Sequence, residues 1–128
     1  MLSTATPIST VMRRTTVTVR LGSTLREISE TLTREEVGAV VVKGAQPIAG
    51  IVSERDVVRA IADGGDPDED RAEDVMTYEV VSVSPDEPIA DVARRMVEGG
   101  IRHLPVVEDD QPVGIVSIRD LMASALDG

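Results

Sequence analysis

The chain contains no cysteine, no phenylalanine and no tryptophan, and its aromatic content is a single tyrosine. The lack of cysteine excludes disulfide bonds and thiolate chemistry, and one histidine argues against a metal site built from histidines. The hydrophobic core must therefore be assembled from Val, Ile, Leu, Met and Ala. Hydrophobic residues make up 41% of the 128 residues, which is enough for one compact globule.

Positive charge is scarce, and almost all of it is carried by arginine. The net charge is −10 at pH 7, and Lys43 is the only lysine. This acidic balance disfavours binding to long nucleic acids, although a locally positive pocket could still hold a small anion. Arginine is suited to bidentate contacts with phosphate, so the few basic residues are candidates for such a pocket.

Long apolar runs are also missing. None approaches the roughly 18 residues that a membrane-spanning helix requires. Residues 1–8 show no basic region followed by an apolar stretch, as a signal peptide would. The sequence therefore predicts a cytoplasmic protein without membrane contact.

One heptapeptide occurs twice with a single change. Gly-Ile-Val-Ser-Glu-Arg-Asp at residues 50–56 returns 64 positions later as Gly-Ile-Val-Ser-Ile-Arg-Asp at residues 114–120. The same interval pairs further identical residues without any gap, among them Val11 with Val75, Met12 with Met76, and Val42 with Val106. A repeat of this length is a complete supersecondary unit, so the chain consists of two equivalent halves.

Hydrophobic periodicity predicts the same order of elements in both halves. The first half should contain a helical turn at 8–12, a strand at 16–19, a helix from 23, strands at 37–42 and 48–52, and a helix from 53 ending at 64–65. The second should contain a turn ending at 75–76, a strand at 80–83, a helix opened by 85–88 and ended by 99–100, strands at 101–107 and 113–116, and a helix at 117–126. Thr24 and Glu27 have capping-box spacing, and residues 1–7 are predicted to form a loose tail.

Each half thus has the order β-α-β-β-α, and the fold class is α/β (α+β), with two repeats that cover their hydrophobic faces by packing together. The repeats occupy residues 8–65 and 75–126. The acidic segment 66–74 between them is predicted to be a linker. It lacks the central glycine and final glutamate of an EF-hand loop, so we interpret it as a solvated linker rather than a calcium site.

The Ser-x-x-Asp pattern in both heptapeptides has two interpretations. As structure, Ser53 caps a helix and Asp56 lies in its first turn, where the helix dipole favours an anion. As function, the first-turn N–H groups and the serine hydroxyl hold a phosphate, while the aspartate accepts both hydroxyls of a ribose. A phosphate and a cap need the same donors, so the two interpretations are compatible.

Several motifs together make the chain resemble a tandem pair of CBS domains, the cystathionine-β-synthase-type regulatory modules also called Bateman modules. These motifs are Val-Met before the first strand of each half, Gly-Ile-Arg-His-Leu-Pro-Val-Val at 100–107, and both Gly-Ile-Val-Ser-x-Arg-Asp copies. The resemblance spans about Ile8 to Leu126. It leaves no room for a catalytic domain, so a stand-alone CBS-pair protein is expected.

The resemblance implies a pseudo-twofold pair of repeats with two clefts for adenosine nucleotides or related adenosyl ligands. Each cleft takes its Ser and Asp from one half and its strand entry from the other. Carried over to this sequence, the first cleft would comprise Ser53, Arg55, Asp56, Thr77, Val80, Ile101, Arg102 and His103. The second would comprise Ser117, Arg119, Asp120, Arg13, Thr16, Val37, Gly38 and Ala39.

The two clefts are not expected to be equivalent. Arg102-His103 aligns with Gly38-Ala39, so the second cleft lacks both cationic side chains at the strand entry. Arg13, which aligns with Thr77, compensates for this only in part. We therefore expect the Asp56 cleft to hold a phosphorylated ligand more tightly.

The predicted function is that of a regulatory or sensor module that binds AMP, ADP or ATP, with no enzymatic activity and no obligatory cofactor. His103 is the only imidazole and has no evident third member for a catalytic triad, and the P-loop pattern is absent. The alternatives are a ligand-free dimerising or partner-regulating scaffold, or a binder of S-adenosylmethionine or NAD(H). The resemblance further implies a homodimer and leaves open an unidentified regulated protein. The candidate dimer helices lie at 25–33, 57–61, 89–97 and 121–126.

Overall fold

The structure, a computed structural model, describes residues 3–78 and 80–127. Its strands are β1 (Thr18–Arg20), β2 (Ala39–Lys43), β3 (Gly50–Ser53), β4 (His103–Glu108) and β5 (Gln111–Ser117). Its helices are α1 (Leu25–Glu35), α2 (Glu54–Ala62), α3 (Ala72–Val75), α4 (Ile89–Gly99) and α5 (Ile118–Asp127), and a 3-10 turn covers Ile8–Thr10. Residues 1–2 of the predicted tail lie outside the described residues, as do the side chains at 125–126 of the predicted dimer face.

The first compact unit consists of Val17–Val80 and contains a three-stranded sheet. In this sheet β1 runs parallel to the central strand β2, and β3 runs antiparallel to it. Helix α1 begins with the predicted capping box, since Thr24 Oγ1 accepts from the Glu27 N–H at 3.1 Å. The predicted apolar stripe of α1 is buried at Leu25, Ile28 and Leu32. A core of valines from the sheet, with Met76 and Ala72, packs against part of this stripe.

The second compact unit combines residues 81–128 with residues 1–16. Strands β4 and β5 form an antiparallel pair, and the core includes Met96 of α4, Leu104 of β4 and Leu121 of α5. Ile8 belongs to this core and is fully buried. The sequence repeats and the compact units therefore differ, because the segment before the first strand packs with the second repeat.

The strand predicted at 80–83 is absent from the described residues 80–82, and this prediction was wrong. Val83 alone forms a bridge with Val106, through its N–H to Pro105 O at 3.1 Å and its carbonyl to Val107 N at 2.8 Å. In the first unit the equivalent ladder continues, because the Val41 N–H donates to Val17 O at 3.0 Å. Position 105 holds proline where the first repeat has Val41, and proline has no N–H to continue the ladder.

The predicted loose tail was also wrong for its described part. Helix α4 has Pro88 at its N-cap and no side-chain cap. Its first N–H groups are satisfied instead by the N-terminal segment, because Ile89 donates to Thr6 O at 2.9 Å and Ala90 to Thr4 O at 3.2 Å. Residues 4–6 thus complete the start of this helix.

The acidic linker likewise accepts hydrogen bonds from the first backbone N–H groups of α1. The Leu25 N–H donates to Asp70 O at 3.0 Å, and the Arg26 N–H donates to Pro67 O at 2.9 Å. The Arg26 guanidinium also binds Asp68 in a bidentate pair, with distances of 2.5 and 3.0 Å, which lowers the pKa of the Asp68 carboxyl. The linker is exposed at most positions, but its backbone is fixed to the helix.

Candidate functional site

Both Ser-x-x-Asp copies form helix caps, which confirms the structural interpretation. At the start of α2 the Ser53 N–H donates to Asp56 Oδ2 at 2.8 Å, and the Asp56 N–H donates to Ser53 Oγ at 3.3 Å. At the start of α5 the Ser117 N–H donates to Asp120 Oδ2 at 2.9 Å, and the Asp120 N–H donates to Ser117 Oγ at 3.1 Å. Each aspartate is half-buried and makes its cap through Oδ2.

The first N–H group of each helix is engaged as well. The Glu54 N–H donates to Gly38 O at 2.9 Å, and the Ile118 N–H donates to Arg102 O at 2.9 Å. The first and third helical N–H groups are therefore bonded to the protein in both copies. A ligand at these helix starts would have to rely on other donors, or on the aspartate oxygen Oδ1 that the cap bonds do not use.

In each unit the glycine of the heptapeptide lies against a neighbouring chain segment that pairs with the same strand. Thr77 pairs with Ile51 through bonds of 3.2 and 2.9 Å, next to Gly50. A β-carbon at Gly50 would lie 2.6 Å from Met76 Sδ and 2.7 Å from Thr77 O, too close for any other residue type. Glycine at the first position of the heptapeptide is therefore required by close backbone approach.

The second unit repeats this arrangement. Arg13 pairs with Ile115 through bonds of 2.8 and 3.0 Å, and a β-carbon at Gly114 would collide with Arg13 O. The Val-Met motif and the heptapeptide are thus two sides of one contact in each unit.

The structure groups the predicted site residues by unit. One unit contains eight of them, namely Val37, Gly38, Ala39, Ser53, Arg55, Asp56, Thr77 and Val80, and the other contains Arg13, Thr16, Ile101, Arg102, His103, Ser117, Arg119 and Asp120. Thr77 lies beside the strand that leads to Ser53, because it pairs with Ile51. Arg13 is likewise brought beside the strand that leads to Ser117. The remaining members of each predicted cleft, 101–103 and 37–39, belong to the opposite unit, and their grouping with Asp56 and Asp120 stays a prediction.

Charge and burial differ among these side chains. Arg55, Arg102 and Arg119 are exposed, whereas His103 is half-buried. Thr16 Oγ1 is buried and makes no hydrogen bond within the described part of the chain. Buried hydroxyls are normally hydrogen-bonded, so Thr16 has an unused capacity to bind a polar atom.

Glu73 in α3 is a second such group and was not predicted. Its Oε1 is buried without a hydrogen bond among the described residues, while its backbone oxygen accepts from the Tyr78 hydroxyl. No sequence signal distinguishes Glu73, because it is one of 23 acidic residues and belongs to none of the repeated motifs.

Within residues 3–78 and 80–127, no cluster of three His, Asp or Glu side chains could hold a metal ion. No helix among the described elements is long and apolar enough to cross a bilayer.

Fold and site together define a protein of two equivalent α+β repeats. In each repeat a helix capped by Ser and Asp follows a strand that pairs with a separate chain segment, at Thr77 or at Arg13. The family model for the CBS domain matches residues 8–63 and 72–127. The chain therefore belongs to the CBS domain family, as a tandem pair.

Related proteins agree with this assignment. An uncharacterized protein of Methanocaldococcus jannaschii is 35% identical over 117 residues, which cover 91% of this chain but only 41% of that protein. The chain thus spans less than half the length of this relative. The structure of a CBS-domain protein from Burkholderia ambifaria is 29% identical, with a TM-score of 0.90 and coverage of 95% of each chain. The CBS domain pair of protein MJ0100, in complex with 5′-methylthioadenosine and S-adenosyl-L-methionine, is 26% identical, with a TM-score of 0.83 and coverage of 96% of this chain and all of that one.

Proposed function

We propose that the chain is a regulatory module that binds an adenosine nucleotide of the AMP, ADP or ATP type and has no catalytic activity or obligatory cofactor of its own. The observation that carries this proposal is the duplicated helix start, with a half-buried aspartate held in place through Oδ2. Its other oxygen, Oδ1, can accept hydrogen bonds from ribose hydroxyls. The buried Thr16 hydroxyl adds a polar group suited to the same ligand.

The two predicted clefts give this proposal its residues. Asp56 would bind the ribose of one ligand, with Arg102 and His103 near its phosphates, and Asp120 would bind the other, with Arg13 and Thr16. Arginine binds phosphate through charge-assisted, often bidentate hydrogen bonds, so the Asp56 cleft would be the tighter one for a phosphorylated ligand.

A different adenosyl ligand is a second candidate. The CBS pair of MJ0100 was crystallised with 5′-methylthioadenosine and S-adenosyl-L-methionine, and both share the adenosine part with AMP. The ribose contact proposed for Asp56 and Asp120 would serve S-adenosylmethionine or NAD(H) equally well. Contacts beyond the ribose, at the group attached to its 5′ carbon, would separate these ligands from ATP.

A ligand-free scaffold is a third candidate, and one observation favours it. The Ser-Asp pairs are fully explained as caps, and the carbonyls of Gly38 and Arg102 engage the first helical N–H groups. A protein that kept the motif only for stability would show the same geometry.

Titration calorimetry tests these candidates. The protein is titrated with AMP, ADP, ATP, 5′-methylthioadenosine, S-adenosylmethionine and NADH, and the double variant Asp56→Ala/Asp120→Ala serves as the control. We expect two unequal sites for an adenosine nucleotide and their loss in the double variant. If none of the six compounds binds at millimolar concentration, the scaffold function replaces the proposed one.

We further propose that the module is a homodimer and transmits its ligand state to an unidentified protein partner. Exposed apolar side chains on the helices support a second copy, among them Val58 and Ile61 on α2, Val97 on α4 and Met122 on α5. Multi-angle light scattering at micromolar concentration should give twice the mass of the chain. A monomer would contradict this assembly without affecting the ligand proposal.

A further inference from the structure

Each repeat begins with a short helical turn, and both turns end in the same way. In α3 the last helical bond runs from the Met76 N–H to Ala72 O at 2.9 Å. The next residue, Thr77, does not continue the helix, because its N–H donates to Ile51 O at 2.9 Å. The carbonyl of Glu73 is therefore left without a helical donor, as the last carbonyls of a helix are.

The side chain of Tyr78 supplies the donor that this carbonyl lacks. The Tyr78 hydroxyl donates to Glu73 O, and the backbone oxygen of Tyr78 accepts from the Val80 N–H at 3.1 Å. Tyr78 therefore connects the end of α3 to Val80. It stands between Thr77 and Val80, which are both predicted to contact the ligand of the first cleft.

The first repeat has the same arrangement with a different residue. The Arg13 N–H donates to Ile115 O at 2.8 Å, which leaves Ser9 O without a helical donor. The Arg14 guanidinium donates to this oxygen through Nη2 at 3.4 Å. Arg14 is the residue that the 64-residue interval pairs with Tyr78. Tyrosine and arginine share a long side chain with a donor at its end, so this donor is the property that the position requires.

Burial in the core does not explain either side chain. Tyr78 is 64% exposed, and Arg14 is exposed as well. A hydrogen bond from an exposed side chain to the backbone restricts the local segment more than it stabilises the whole fold. Arg14 also stands between two predicted ligand residues, because Arg13 and Thr16 belong to the second cleft. In both repeats the restricted segment is thus the one predicted to contact the ligand.

We propose that Tyr78 and Arg14 are positioning residues of the two adenosine sites. Each ties the segment that carries the predicted ligand residues to the end of the preceding helical turn. A segment that is fixed before the ligand arrives loses less conformational entropy on binding, so the affinity is higher. This inference rests on the proposed function, to which it adds two residues that act through the binding segment and not by touching the ligand.

Tyr78→Phe tests the first of these residues, because it removes the hydroxyl and retains the ring. Amide hydrogen exchange of the ligand-free protein, measured by NMR, gives a readout that needs no ligand. The Val80 N–H should exchange about fivefold faster in Tyr78→Phe than in the parent protein. The N–H of Val40, which is fully buried in β2, is the control and should keep its rate. An unchanged rate at Val80 would overturn the inference.

Calorimetry with AMP measures the consequence for binding. Asp120→Ala leaves only the Asp56 site and Asp56→Ala leaves only the Asp120 site, so Tyr78→Phe is measured in both backgrounds. The affinity of the Asp56 site should fall about fivefold, whereas that of the Asp120 site should stay within about twofold. An unchanged affinity at the Asp56 site would overturn the inference. An equal loss at both sites would also overturn it, because it would indicate a general effect on the fold.

Arg14 requires a comparison at constant charge. Arg14→Met and Arg14→Tyr remove the same positive charge, but only tyrosine keeps a donor at the end of the side chain. In the Asp56→Ala background, Arg14→Tyr should bind AMP about two- to fivefold more tightly than Arg14→Met. Equal affinities of these two variants would contradict a positioning role for Arg14.

The inference and the proposed function can fail separately. If the parent protein binds no adenosyl compound, the proposed function is contradicted, and hydrogen exchange at Val80 still decides whether Tyr78 restrains the segment. If AMP binds and Tyr78→Phe changes neither the exchange rate nor the affinity, only the inference is lost.

Discussion

His103 lies directly opposite Ser117 across the antiparallel strands β4 and β5, in the register that places Ala39 opposite Ser53 in the other repeat. One repeat therefore has an imidazole beside its helix cap where the other has a methyl group. The backbone is equivalent at these two points, since the carbonyls of Arg102 and Gly38 accept from the first N–H of α5 and α2. At these two points the repeats therefore differ in their side chains and not in their backbone hydrogen bonds.

The first prediction separates the two roles of Asp56. Asp56→Ala removes the cap bonds and should lower the free energy of unfolding by about 1 kcal/mol, measured by urea denaturation. If Asp56 also binds a ribose, adenosine-nucleotide affinity should fall about ten- to hundredfold, because a hydrogen bond to a charged group contributes roughly 1.5–3 kcal/mol. Asp56→Asn should retain more of the stability and more of the nucleotide affinity than Asp56→Ala. Loss of stability with unchanged affinity in calorimetry would leave only the capping role.

The second prediction concerns Gly50, which lies against Met76 and Thr77. Gly50→Ala should destabilise the protein by about 1–3 kcal/mol, since the added methyl group would collide with Met76 Sδ and Thr77 O. Gly22→Ala is the matched control, because a β-carbon there has nothing within 4 Å, and its effect should stay within about 0.5 kcal/mol. Urea denaturation of both variants measures the difference. Equal stability of the two would refute the close-approach argument.

The third prediction tests phosphate recognition by Arg102. Arg102→Ala should weaken ATP and ADP about ten- to hundredfold while changing adenosine affinity less than about twofold. Arg20→Ala, another exposed arginine outside the predicted clefts, should leave all three affinities unchanged. Calorimetry with ATP, ADP and adenosine decides the matter. An unchanged ATP affinity in Arg102→Ala would remove this residue from the site.

The fourth prediction uses the capping box of α1. Hydrogen bonds from the Thr24 backbone N–H and hydroxyl lower the pKa of Glu27 below its ordinary value of 4.5. A lowered pKa in the folded state means that Glu27 stabilises the protein above pH 4.5 and that this contribution disappears as the pH falls through the folded-state pKa. The stability difference between the parent and Glu27→Gln should therefore shrink between neutral pH and about pH 3. A difference independent of pH, measured by urea denaturation, would contradict the ionised cap.

The local elements could be predicted because their signals lie close together in the sequence. The Thr24–Glu27 and Ser53–Asp56 spacings predict caps that the structure contains, and the 64-residue repeat predicts the order of elements. The predictions that were wrong concern segments whose hydrogen-bond partners are far away in the chain. Whether 80–83 forms a strand is decided by the missing N–H of Pro105, which matters only once its neighbour in the sheet is known.

The candidate site shows the same division. The helix-start residues follow from the repeated heptapeptide, whereas Thr77 and Arg13 are implied only by the resemblance to the CBS family. The buried oxygens of Thr16 and Glu73 are a property of packing, and composition cannot reveal which of many polar atoms will be enclosed. Gly50 and Gly114 were recognised as repeated residues, but the sulfur and carbonyl atoms that require them are visible only in three dimensions.

The packing of Ile8 with the second repeat has a consequence for synthesis on the ribosome. Residues 17–80 emerge as one continuous stretch and can complete their sheet while the rest of the chain is still being translated. Ile8 emerges before all of them, yet its core partners extend to Leu121, so its burial must wait until Leu121 has been synthesised. The second unit should therefore be the slower of the two to fold, because its core joins residues more than a hundred positions apart.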